Sequence, residues 1–284
     1  MTEVARVIDM RMRPPVGGFL KLKLFDPKNG LETRLRQRGY EPPASFTERS
    51  VDLLFREMAA AAIDAAMVVA RPAGRLGGVT NVEAAEVVRA HPQRFAGFVG
   101  ALSIRPAEAE GELAECVELG AVGVALEPAA ADPPLFADAQ ELLPVYELIS
   151  AAELPVFVTG GDSGPDTSYG SPLHLERVSA AFPRLAFVAV HGGWPYVREM
   201  VAVALRRPNV WVMPDMYAAR FPGHGEYIEA ANGMLRDKML FGTSYPAVNI
   251  EQLVASLHMG GLRAAAWQQM AIENPRRLLE RRLM

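Results

Sequence analysis

The sequence predicts an α/β fold, a single (β/α)8 TIM barrel with a long first βα loop. Three observations lead there. Eight short apolar runs alternate with longer amphipathic stretches along the chain. The length of 284 residues suits one barrel of about 250 residues plus an extended loop. The first run is followed by Arg11-Met12-Arg13-Pro14-Pro15 rather than by a glycine-rich dinucleotide fingerprint, which favours a closed barrel over an open nucleotide-binding sheet. Residues 1–284 read as one domain.

The runs are, in order, Val4 to Met10, Ala66 to Ala70, Phe95 to Leu102, Val122 to Leu126, Pro155 to Thr159, Leu185 to Val190, Asn209 to Met213 and Lys238 to Gly242. Each is short and apolar on both faces, as strands of a parallel sheet covered on both sides must be. Helices are expected over Thr47 to Ala62 with Thr47 as N-cap, and over Asn81 to Ala90 with Asn81 as cap. Further helices follow at Pro106 to Leu119, Glu141 to Ala152, Pro172 to Ala181, Pro195 to Leu205, Ile250 to His258 and Ala264 to Glu280. Proline in the first turn supports several of them, and Gly120 supplies a helix stop. The segment Pro14 to Ser45 is long for a βα connection. In a barrel it emerges at the face where strands end, so residues 14–45 are expected to form a lid; a structural flap and a subunit contact are the alternatives.

Half of the residues are hydrophobic and 22% are charged, the balance of a globular protein with a large core. The formal net charge of −4 argues against nucleic acid or an anionic membrane surface as a partner. No apolar run approaches the roughly 20 residues that span a bilayer. Met1 to Arg6 is too polar and too short for a signal peptide, so a cytoplasmic location is expected. Cys116 is the only cysteine, which excludes an internal disulfide and a thiolate metal cluster. Its neighbours Leu113, Val117 and Leu119 mark it as a packed core thiol. Met213, Met216, Tyr217 and Phe221 could support a homodimer.

Chemistry in a barrel gathers where the strands end. Those positions hold Asp9, Arg11 and Arg13, then Arg71, then Ser103 and Arg105, then Glu127. Thr159, Gly160, Gly161 and Asp162 follow, then His191, then Asp215 and Tyr217, and last Ser244 with Tyr245. Four arginines and three or four carboxylates would therefore converge on one opening. Buried charges cost several kcal/mol each unless paired. The set is thus either a site or an ion-pair network of Arg11, Arg13, Glu127 and Asp215 closing the barrel top.

Four segments carry more specific information: Val7-Ile8-Asp9-Met10-Arg11-Met12-Arg13, Val190-His191-Gly192-Gly193-Trp194-Pro195, Leu240-Phe241-Gly242-Thr243-Ser244-Tyr245-Pro246 and Glu273-Asn274-Pro275-Arg276-Arg277-Leu278-Leu279. In this order the chain resembles, over nearly its whole length, the amidohydrolase superfamily. In particular it resembles the branch that includes aminocarboxymuconate-semialdehyde decarboxylase and related small-acid decarboxylases and hydrolases. The resemblance implies a metal-binding Asp-x-His-x-His after the first strand, where this chain has Arg11 and Arg13 in place of both histidines. It also implies a histidine after the fifth strand, where Thr159 stands, and one after the sixth, kept as His191. The aspartate it implies after the eighth strand is replaced by Ser244. A guanidinium stays protonated and offers no lone pair, so two of them repel a cation and attract an anion. No metal in the usual site and no other cofactor are therefore expected. Some metal-free members of the wider superfamily hydrolyse activated lactones with arginines and histidines, but they keep the aspartate that is absent here.

Arg11 and Arg13 flank Met12 on an extended chain, so their side chains project to one side. Two such forks suit one or two carboxylates of a small anionic substrate, and Arg71 or Arg105 could extend the patch. His191 is the candidate general base or acid, because imidazole titrates closest to physiological pH. Asp215 and Glu127 come next for proton transfer. Tyr217, Tyr245, Thr159 and Ser244 could orient substrate or stabilise an oxyanion. His224 could line the mouth, whereas His91, His174 and His258 read as surface or structural residues. The turn from Thr159 to Asp166 offers backbone N–H groups to an anion, with a plain loop as the alternative. The expected function is metal-independent hydrolysis, decarboxylation or isomerisation of a small carboxylated acid or lactone. A non-catalytic small-acid-binding or regulatory barrel is the alternative, and a metal on a rearranged His191, Glu127 and Asp215 set is a third.

Overall fold

A computed structural model describes residues 6–160 and 164–279. The expectations placed on Val4, Ala5, Gly161, Asp162 and Glu280 lie outside the described residues. Seven strands form one parallel sheet in chain order: β1 Ile8–Met12, β2 Ala65–Val69, β3 Phe95–Ala101, β4 Gly123–Leu126, β5 Val156–Thr159, β6 Phe187–Val190 and β7 Val210–Met213. Helices separate successive strands, as parallel pairing requires.

The expected eighth strand, Lys238 to Gly242, is corrected: among the described residues the sheet has seven. The segment instead makes isolated parallel bridges, Met239 to Val212 of β7 and Tyr245 to Met12 of β1. Leu240 donates to Val212 at 2.8 Å, while Met10 donates to Phe241 at 3.0 Å and Arg13 to Tyr245 at 3.1 Å. Both edges of the sheet are thus hydrogen-bonded to one segment, with too few consecutive pairs against either edge to make a ladder.

Strand alternation sorts the apolar residues into two layers. Met10, Met67, Val69, Val99, Ala125, Phe157, Val188, Val190 and Met213 share one buried cluster with Leu240. Every strand contributes to it, so it is the layer enclosed by the sheet. The alternate residues, among them Met12, Val68, Phe98, Val124 and Val212, pack with Leu54, Met58 and Cys116 of the helices in a larger outer cluster. On β1 the register against β2 shifts between Asp9 and Met12. Met10 lies in the enclosed layer but Met12 in the outer one, so the alternation changes phase there. That change sends Arg11 and Arg13 together into the mouth.

Two caps are corrected. The helix expected from Thr47 begins at Val51, because Ser50 accepts from the N–H of Leu53 while Thr47 ends a short helix of its own. Thr80, not Asn81, caps Asn81–Ala90, in a reciprocal box with Glu83. Gly120 ends Pro106–Leu119 at φ 80°, in the left-handed region that glycine enters freely. Residues 14–45 form short helical turns around Leu31–Gln37, and Phe19, Phe25, Leu35 and Tyr40 are buried in the outer cluster. Among the described residues no helix is long and apolar enough to cross a membrane.

Candidate functional site

At the C-terminal ends of the strands the charged residues collect into two linked groups. In the first, Nη2 of Arg13 donates to Glu127 at 2.7 Å, and Nη2 of Arg71 donates to its other oxygen at 2.5 Å. One carboxylate just beyond β4 therefore bridges guanidiniums from β1 and from the end of β2. In the second, Nδ1 of His191 lies 2.9 Å from Oδ1 of Asp215, and Nη1 of Arg11 lies 3.5 Å from Oδ2. Arg11 also donates to the hydroxyl of Ser244. All of these side chains are buried. His191, Asp215 and Ser244 sit at φ 65°, 40° and 58°, so three of the site's turns hold a non-glycine residue in the left-handed region. Such conformations persist where surrounding bonds impose them, and they concentrate at functional sites.

The electrostatics follow from the pairing. Burial works against the charge on Glu127, but Arg13, Arg71 and Arg11 outweigh it and hold its carboxyl down at about 2. Burial and the neighbouring Arg13 bring Arg71 down to about 10, still cationic at neutral pH. Burial also lowers Arg11. Among the described residues three guanidiniums thus pair with two carboxylates, Glu127 and Asp215, and Asp9 beside Arg11 offsets part of the remaining positive charge. Among the described residues, Nη1 of Arg13, Nη1 of Arg71 and Nε2 of His191 have no hydrogen-bond partner. A carboxylate only accepts, so in the neutral imidazole Asp215 selects the tautomer with the proton on Nδ1 and the lone pair on Nε2.

Asp9 stands one step further down β1 and is fully buried. It accepts from the backbone N–H groups of Arg11 and Thr243 at 2.9 Å each, and from the Thr243 hydroxyl at 2.5 Å. Burial nevertheless pushes its carboxyl up to about 7. Asp9 and Thr243 tie β1 to the segment that carries Ser244. Neither appeared as a leading candidate from sequence, although an aspartate inside the run Val7-Ile8-Asp9-Met10 is a visible signal.

The structure brings together Arg11, Arg13, Arg71, Glu127, His191, Asp215 and Ser244. Tyr217 packs edge-on to His191, with ring centroids 5.4 Å apart, and stacks on Trp194 at 4.7 Å. Trp194 is a neighbour that sequence reasoning missed, although it follows the His-Gly-Gly turn directly. Thr159 pairs with Val190 of β6 and lines a small apolar cavity with Pro172, and among the described residues its hydroxyl bonds neither charged group. Arg105 pairs with Glu108 in the exposed first turn of its own helix, and Ser103 bonds the same carboxylate. The hydroxyl of Tyr245 meets that of Ser45 at 2.8 Å, away from the charges. His224 opens the helix His224–Asn232 and bonds the Phe221 carbonyl. Cys116 is buried and burial pushes its thiol up to about 12, as a packed core thiol requires.

A cavity of about 800 Å³ opens beside the first group, with Arg71 and Glu127 among its lining. Arg75 and Arg105 also border it.

A divalent ion does not fit this donor set. Arg11 and Arg13 have no lone pair to offer, and the hydroxyls of Thr159 and Ser244 are weak donors beside one imidazole. The guanidiniums of Arg11, Arg13 and Arg71 stand at the mouth and repel a cation. Among the described residues, no group of three or more His, Cys, Asp or Glu side chains is arranged to hold a metal.

Among solved structures, an uncharacterized TIM-barrel protein of Bordetella bronchiseptica matches with a TM-score of 0.93 and 38% identity, covering 98% of this chain and 99% of that one. The 5-carboxyvanillate decarboxylase LigW of Sphingomonas paucimobilis matches with a TM-score of 0.66 and 16% identity, covering 97% and 99%. A structure named "probable 2-pyrone-4,6-dicarboxylic acid hydrolase", from Acinetobacter baumannii with citric acid bound, gives 0.60 and 14%, covering 81% and 88%. The last two likenesses carry the fold alone. No curated protein matches. The family model described as "Amidohydrolase" spans residues 8–281, nearly all of the chain, and the protein belongs to that family.

Proposed function

We propose that the protein is a metal-independent enzyme of this family that hydrolyses or decarboxylates a small carboxylated organic acid or its lactone. One observation carries the reading: Arg11, Arg13 and Arg71 outnumber their carboxylate partners beside a His191–Asp215 pair whose Nε2 is free among the described residues. The spare N–H groups of Arg13 and Arg71 bind a substrate carboxylate, and Glu127 keeps their guanidiniums in place. Asp215 orients His191 and stabilises the imidazolium when Nε2 takes a proton. In hydrolysis that proton comes from water attacking the ester carbon, and Arg11 faces the oxyanion that forms. The proton then passes to the departing oxygen. In decarboxylation Nε2 first takes a proton from solvent and then delivers it to the carbon that loses carbon dioxide. The solved neighbours named for 5-carboxyvanillate and for a pyrone dicarboxylic acid support the class of substrate.

Turnover of a panel of aromatic acids and pyrone lactones, measured after dialysis against a chelator, tests the reading. Activity should survive chelation and fall strongly in His191→Ala and Arg11→Met. Full activity in both variants would place the chemistry elsewhere. Binding of panel members without turnover would assign the chain to the non-catalytic alternative.

A further inference from the structure

The cavity at the mouth is larger than the charged groups alone need. At about 800 Å³ it lies high in the range, roughly 300–1,000 Å³, of pockets that enclose drug-sized ligands. A one-ring acid of about ten non-hydrogen atoms, at the ~30 Å³ of a water-sized unit each, fills about 300 Å³. More than half of the space remains.

The lining describes what could fill it. Arg71 and Glu127 form the end that joins the charged mouth. Leu76, Leu102, Ile104, Ala129, Ala130 and Pro134 form apolar walls. Arg75, Arg105, Glu108, Glu112 and Asp132 also line the cavity. Arg105 is engaged by Glu108 at 3.1 Å, and Glu112 accepts from the backbone N–H of Ser103 at 2.5 Å. Among the described residues these are two cations against three carboxylates, which makes this part of the lining unfavourable for a second negative group. The charged end, by contrast, holds the guanidiniums of Arg13 and Arg71.

Resting on the reading that these arginines hold a carboxylate, we infer that the substrate is a monocarboxylic acid with an extended apolar body. Its carboxylate lies at Arg13 and Arg71, and its tail runs along the trough between Leu102, Ile104 and Ala130. The headgroup then sits at the charged end, with the tail supplying affinity.

Calorimetric titration of the full chain with benzoate, biphenyl-4-carboxylate and biphenyl-4,4′-dicarboxylate tests this. Burying a second ring should tighten binding by about tenfold or more over benzoate. The second carboxylate of the diacid should remove most of that gain. In Ala130→Trp the ratio of biphenyl acid to benzoate should fall toward one, and in Ala130→Leu partway, with thermal unfolding of each variant confirming the fold. Arg13→Met should weaken both monoacids. Equal affinities in the wild type, or a ratio that survives both Ala130 variants, overturns the tail inference while leaving the anion site standing. Absence of binding by all three acids removes the anion site and the inference with it.

Discussion

The carboxylate of Asp215 is shared: Oδ1 meets Nδ1 of His191 at 2.9 Å and the backbone N–H of Met216 at 2.6 Å, and Oδ2 faces Arg11 at 3.5 Å. It therefore sets the histidine's tautomer while being aligned by a guanidinium. Asp215→Asn keeps the shape but allows the amide to donate to Nδ1, moving the proton to Nε2 and removing the base. The expected loss in kcat is about 10²–10⁴-fold with a smaller change in KM. Steady-state kinetics against a turned-over acid measures it; an unchanged kcat would remove His191 from the chemistry.

Glu127 holds two buried guanidiniums at once, so Glu127→Gln leaves both under-neutralised. The expected loss of stability is about 3–5 kcal/mol in urea unfolding. Carboxylate affinity should move the other way, because Arg13 and Arg71 gain a vacancy for an external anion. The wild type carries an acid signature of the same pairs. The folded carboxyl is held at about 2 against an ordinary 4.5, so its contribution is complete above about 4.5 and is lost as pH falls toward 2. The variant should lack that part of the acid unfolding profile.

Asp9 gives the opposite sign. Burial raises its carboxyl from 3.8 to about 7, so the folded protein holds a proton that the unfolded chain releases. Its contribution is complete below about 3.8 and is lost as pH rises to about 7, at on the order of 1 kcal/mol per pH unit. Urea unfolding at pH 5, 6, 7 and 8 should show that decline, and Asp9→Asn should flatten it. A wild-type stability that does not depend on Asp9 over this interval would contradict the assignment.

Ser244 accepts from Arg11 at φ 58°, a backbone position that alanine occupies under the same constraint as serine. Ser244→Ala therefore removes only the hydroxyl. Arg11 should lose alignment, with a fall of roughly three- to tenfold in kcat, the effect of one hydrogen bond. Steady-state kinetics reads the change, while the Kd for benzoate, set by Arg13 and Arg71, should hold.

Much of this was legible in the residues. The apolar run Leu185 to Val190 contains its strand and Ala66 to Ala70 overlaps Ala65–Val69, because a buried parallel strand leaves an uninterrupted apolar signal. The convergence of Arg11, Arg13, Glu127, His191 and Asp215 followed from their positions at strand ends. The partners did not. That Glu127 binds Arg13 and Arg71 together, while Arg11 turns to Asp215, depends on how strands four and seven sit around the sheet, which no local pattern encodes. The phase change in β1 was equally invisible, since Asp9 to Arg13 alternates without a glycine or proline to announce the shift. The eighth run is not a strand because Met239 alone bridges β7 and the N–H of Phe241 goes to the Met270 carbonyl, a tertiary fact that an apolar run cannot signal.

The central claim is that the guanidiniums of Arg11 and Arg13 make the barrel mouth a receptor for anions and not a cage for a cation. Elemental analysis of the purified protein, after incubation with equimolar zinc and manganese and gel filtration, tests it most directly. The account predicts well under one metal ion per chain, unchanged in His191→Ala. One equivalent of metal that His191→Ala removes would contradict it.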